Sequence, residues 1–223
     1  MNRMELLYLM TATFIILGLL LTPILPVIFA DYIDFRMAWD NQPMVCANDF
    51  PFETYNQTAF VMGVMDWKWK LNEYTDSEGF PITYRHTIDG KYTNGCNVNI
   101  NFYPYLEKNG EVLNIYADAL CTKYDSIGMQ CEIRINMLEF SPEMNAEITM
   151  KHEMGHVLGL SHRQPLHDEN PTAIIIDNDI MFFQAGPYQN ITLVNLKALY
   201  TAYGNDGWAG ENREWFKHIV EYE

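Results

Sequence analysis

The segment His152-Glu153-Met154-Gly155-His156-Val157-Leu158-Gly159-Leu160-Ser161-His162 constrains this chain more than any other, because its spacing demands a helix, then a turn, then a return. Residues four apart share one helical face, so His152 and His156 direct two imidazoles at one point. Glu153 sits about 100° round the axis from His152. That is too far for a third ligand, yet close enough to reach a water held there, which is the place of a general base. A helix continued past Leu158 would carry later side chains away along its axis. Gly159 lets the chain leave the helix, since glycine reaches φ > 0 without a Cβ clash, and His162 then returns to the same point. Three neutral imidazoles leave a fourth tetrahedral position to water, the arrangement of a catalytic zinc rather than a closed structural one. A bare H-E-x-x-H arises by accident on charged helices; the added glycine and third histidine make the longer form far more specific.

These eleven residues resemble the zinc-binding signature of the metzincin clan of endopeptidases, and they are most similar to its matrixin branch. The resemblance covers that segment alone. It implies an α+β domain with a twisted mixed sheet, an active-site helix and a C-terminal helix. It also implies one zinc ion on His152, His156 and His162, with Glu153 polarising the attacking water. A methionine turn is implied beneath the metal, and Met181, within Asp179-Ile180-Met181-Phe182, is the candidate. By the same resemblance, Ala117-Asp118-Ala119-Leu120 is similar to the sheet edge that borders the cleft, where an extended protein or peptide substrate adds as a further strand. The implied function is hydrolysis of peptide bonds in extracellular proteins. Two departures bear on the specificity pocket: the interval from His162 to Met181 is long, and Pro187-Tyr188 follows Met181 only at a distance. A reading from another class is a catalytically silent, membrane-tethered zinc-binding or adhesion module of the same fold. Glu153 counts against it, because a structural site has no use for a base.

From Leu6 to Ala30 no residue is charged, and at 1.5 Å per residue this run spans a hydrocarbon core of about 30 Å. A hydrophobic helix is therefore expected in residues 1–30, a signal anchor or signal peptide, ahead of one catalytic domain in residues 31–223. Arg3 precedes the run while Asp31 and Asp34 follow it, which places the domain outside the cytoplasm, held to the bilayer through residues 6–30. Secretion after cleavage behind Ala30 is the alternative. The roughly 190 residues that follow suffice for a single domain with its own core. With 48% hydrophobic and 14% aromatic residues, a packed interior is available. A net charge of −15 excludes a nucleic-acid partner. A monomer is expected.

Four cysteines, Cys46, Cys96, Cys121 and Cys131, suit an oxidising exterior and allow three pairings. Cys121 and Cys131 flank a turn-like Tyr124-Asp125-Ser126-Ile127-Gly128 between strand-like runs. That pair is favoured across a hairpin, leaving Cys46 to Cys96. Asn56-Gln57-Thr58 and Asn190-Ile191-Thr192 are glycosylation sequons. Asp76-Ser77-Glu78-Gly79 and Asp177-Asn178-Asp179 admit Ca2+, although short acidic loops are ordinarily solvated turns. His86, His167 and His218 have no partner at metal spacing. Phe60, Val64, Trp67 and Leu71 set a helical period across residues 56–74. Alternation marks strands at 96–102 and 131–137, and 112–123 is a less regular strand. Ser141 and Pro142 open the histidine helix. Residues 192–203 read as a terminal helix with Leu193, Leu196, Leu199 and Tyr200 on its face and Gly204 beyond.

Overall fold

The computed structural model describes residues 39, 41–48, 51, 54–87, 95–124, 128–162, 178–182, 188–204 and 207–209. All belong to the unit Phe35–Glu223. The apolar run 6–30, with the helix and bilayer contact expected of it, lies outside the described residues. Among the described residues no helix is long and apolar enough to cross a membrane.

Strand β1 (Met44–Asn48) is followed by helix α1 (Thr54–Thr75) and strand β2 (Thr83–Thr87). Strand β3 (Val98–Tyr103) precedes a small hairpin of β4 (Glu107–Lys108) and β5 (Glu111–Val112). Strands β6 (Ala117–Tyr124) and β7 (Gly128–Asn136), helix α2 (Pro142–Val157) and helix α3 (Leu193–Tyr203) complete the order. The result is a mixed α/β fold whose five-stranded sheet runs β2-β1-β3-β7-β6. Pairings β1/β2, β1/β3 and β3/β7 are parallel, while β6 joins β7 antiparallel at the edge. Most of this sheet is thus parallel, where the resemblance implied only that it is mixed.

Alternation along β3 and β7 separates two faces. Val98, Ile100, Cys131, Ile133 and Ile135 are buried. The intervening residues carry polar groups: Asn101 and Tyr103 donate to Glu132 Oε1 at 2.7 and 2.6 Å, and Arg134 pairs with Asp118. Burial on one side only explains why these strands show a period of two. β1 differs, because Val45, Cys46 and Ala47 are all buried. An uninterrupted apolar run of this kind carries no alternation, so neither β1 nor its short neighbour β2 was expected. The irregular stretch 112–123 holds two elements, Val112 at the end of the β4/β5 hairpin and all of β6 but Tyr124.

Helix α1 buries Phe60, Val64, Trp67 and Leu71, as their spacing requires. It crosses α2 at Gly63, where a Cβ would stand 2.5 Å from the Glu147 carbonyl oxygen. The crossing is fastened by polar contacts. Trp67 Nε1 donates to Lys151 O at 2.8 Å, and the buried Lys151 ammonium meets Asp66 at 2.9 Å and Glu147 at 3.1 Å. Ser141 takes the N-cap position of α2 with extended backbone, but its side chain makes no cap hydrogen bond. α3 is capped by Thr192 and Asn195 reciprocally and ends at Gly204, φ 67°. Its buried face is Asn195, Ala198, Leu199, Ala202 and Tyr203. The face read from its large apolar residues was therefore rotated: Leu193 and Tyr200 are exposed.

Two disulfides, Cys46–Cys96 and Cys121–Cys131, fit an oxidising compartment. The first ties β1 to the segment entering β3. The second links registered residues of β6 and β7.

Candidate metal centre

The end of α2 forms a complete glycine-terminated cap. Gly159 adopts φ 106°, its N–H donates to His156 O at 2.9 Å, and Leu160 N–H donates to Gly155 O at 3.0 Å. These are the paired bonds of the Schellman motif, and they turn the chain sharply back. The turn brings His162 to the two helical histidines. The Nε2 atoms of His152 and His162 are 3.1 Å apart, those of His156 and His162 3.0 Å, and those of His152 and His156 3.2 Å. A tetrahedral ion with metal–nitrogen bonds of about 2.0–2.1 Å has ligand edges of about 3.3–3.4 Å, so a small outward shift of each ring accommodates one. Among the described residues this is the one cluster able to hold a metal.

Backbone carbonyls fix two of the rings. His152 Nδ1 donates to Ile180 O at 2.5 Å and His156 Nδ1 donates to Leu160 O at 2.7 Å. Since a carbonyl only accepts, each Nδ1 carries the proton and each Nε2 presents its lone pair. Burial pushes His152 down to about 4, against the opposing effect of the Ile180 carbonyl, so its ring is neutral at pH 7, as a ligand must be.

Glu153 is buried, and its Oε2 finds no hydrogen-bond donor among the described residues. Burial, with the Asp118 charge adding to it, pushes its carboxyl up to about 8. An orphaned buried acceptor on the helix that carries His152 and His156 fits a divalent ion with a bound water. A bound ion's positive charge would favour the carboxylate, and a water on that ion would supply a donor to it.

Met181 lies under the histidine helix: it is buried, and its Sδ would clash with a Cβ placed on Gly155. Gly155 therefore makes room for the methionine. The edge strand β6 contains Ala117, Asp118, Ala119 and Leu120, and Leu120 is exposed. Of Asp177-Asn178-Asp179, Asp177 lies outside the described residues, and the Asp179 carboxylate accepts protein donors. Oδ1 accepts Met181 N–H at 2.9 Å and the Asn195 amide at 3.0 Å, and Oδ2 accepts the Thr192 hydroxyl at 2.7 Å. The Asp76–Gly79 stretch forms a turn after α1, with Ser77 Oγ accepting Gly79 N–H at 3.2 Å.

Residues that the sequence did not single out complete the support. Trp39 Nε1 donates to Val157 O at 2.6 Å and Tyr203 OH donates to Leu158 O at 3.1 Å, so the last carbonyls of α2 are capped from outside the helix. Trp39 N–H in turn donates to the Tyr203 hydroxyl at 3.0 Å.

No family model matches the chain, and no curated protein matches it.

Proposed function

We propose that this protein is a zinc-dependent endopeptidase of metzincin type, placed outside the cytoplasm and anchored through its N-terminal apolar run. The observation that carries the reading is the convergence of His152, His156 and His162 within 3.0–3.2 Å at Nε2, with the buried, donor-less Glu153 oxygen on the same helix. These three histidines would hold the ion, and Met181 would be the methionine beneath it. When bound, zinc supplies Lewis acidity to a scissile carbonyl and lowers the pKa of its water toward about 7.

The chain's own groups do the rest. An extended peptide pairs with the edge of β6 along Ala117–Leu120, because among the described residues that strand is bonded to β7 on one side only. Glu153 takes the proton of the attacking water and delivers it to the leaving amine; its burial keeps bulk water from competing for that proton. His152 and His156 are held in one tautomer by Ile180 and Leu160, so their rings need no reorientation during turnover.

A fluorogenic peptide assay with and without chelator tests the reading. Cleavage should appear with zinc and vanish with chelation. Glu153→Gln should keep the metal and lose about 10²–10⁴-fold in kcat, whereas His156→Ala should lose the metal. A Glu153→Gln protein that cleaves as fast as the parent would remove the assigned base. A zinc-loaded parent that cleaves nothing would leave a silent binding module.

A further inference from the structure

We propose that Asp179 is a positioning residue of the metal centre: it anchors the Ile180–Met181 peptide so that the Ile180 carbonyl locks the His152 ring. The inference rests on the metal reading above and extends it to a residue outside the motif.

The argument begins with one peptide plane. Among the described residues no peptide bond is cis, so the Ile180 C=O and the Met181 N–H point in opposite directions from the same rigid unit. Asp179 Oδ1 accepts the Met181 N–H at 2.9 Å, closing a turn two residues on from its own Cα. The carbonyl at the other end of the plane accepts His152 Nδ1 at 2.5 Å. Rotation of the plane would break both bonds together. The carboxylate thus sets the direction of the acceptor that sets the histidine.

Asp179 is itself held from two sides. It is fully buried, and its oxygens take the Thr192 hydroxyl at 2.7 Å and the Asn195 amide at 3.0 Å. Both donors belong to the N-terminal cap of α3. The segment is further fixed by Ile180 N–H to Asn190 O at 2.8 Å and Phe182 N–H to Asp179 O at 3.0 Å. A path of hydrogen bonds therefore runs from the start of α3 through Asp179 and one peptide plane to a ligand on α2. A carboxylate suits the post, since it offers acceptors only and three donors converge on it.

The test is zinc affinity of the full chain by competition with a chromophoric chelator, together with the visible absorption of the cobalt(II)-substituted protein, which reports ligand geometry. Asp179→Ala should bind zinc about 10–100-fold more weakly than the parent, with an altered cobalt spectrum. Asp179→Asn keeps an oxygen for the Met181 N–H and should restore most of the loss. Asn195→Ala removes one donor and should shift affinity the same way by less, which keeps the proposal open to test even if Asp179→Ala does not fold. Parent-like zinc affinity and cobalt spectra in Asp179→Ala, or in Asn195→Ala where the former does not fold, would overturn this proposal alone. A parent that binds no zinc would overturn the metal reading and this proposal with it.

Discussion

At the scale of single residues, the floor of the site depends on the absence of one side chain. Gly155 stands between His152 and His156 in sequence, and a Cβ there would clash with Met181 Sδ and meet Trp67 Cζ2 at 3.0 Å. Gly155→Ala should cost roughly 1–3 kcal/mol in a urea titration, toward the lower end if the flexible methionine gives way. Adding Met181→Ala should offset part of that cost, so the double variant falls short of the summed single effects. Full additivity would show that the two residues do not press on one another. The convergence of the three histidines was legible in the sequence because short offsets place them. Asp179 was not, for its partners Thr192 and Asn195 lie 13 and 16 residues away and only the fold brings them to it. From sequence it read as a loop acid open to calcium. An aspartate two residues before the methionine is the signal that could have been weighed.

At the scale of elements, what aims His162 is the end of α2 rather than its length. The Gly159 cap satisfies His156 and Gly155 carbonyls from within, while Val157 and Leu158 carbonyls rely on Trp39 and Tyr203. Tyr203→Phe removes the donor to Leu158 O and the acceptor of Trp39 N–H, leaving buried backbone groups unmatched. A loss of about 1–3 kcal/mol is expected, read as a lower urea midpoint at unchanged slope. No change would mean that those groups find other partners. Helices α1 and α2 were legible from period and capping residues, and β3 and β7 from alternation. β1 and β2 were not, because short strands without strict alternation carry no such signal. The face of α3 was misjudged for a related reason: it packs through Ala198 and Ala202, and size alone pointed to Leu193 and Tyr200.

At the scale of the whole molecule, the centre is where separate parts of the chain meet. α2 supplies two of the converging histidines, the loop after it the third, and the segment before α3 the carbonyl that orients the first. Cys46–Cys96 closes 50 residues between β1 and β3, while Cys121–Cys131 closes 10 across the edge pair. By chain entropy the longer closure constrains the unfolded chain more, and the shorter one fastens the edge strand proposed to receive substrate. The sheet order and the parallel majority were beyond reach of the sequence, since they depend on which strands meet across long connections. The central claim is that three imidazoles hold one ion and leave a place for water. X-ray absorption at the zinc edge, on the full chain loaded with one equivalent, tests it most directly. The account predicts three imidazole nitrogens and one non-protein oxygen, all at about 2.0–2.1 Å. A fourth protein ligand in place of that oxygen, or zinc bound by fewer than three histidines, would contradict it.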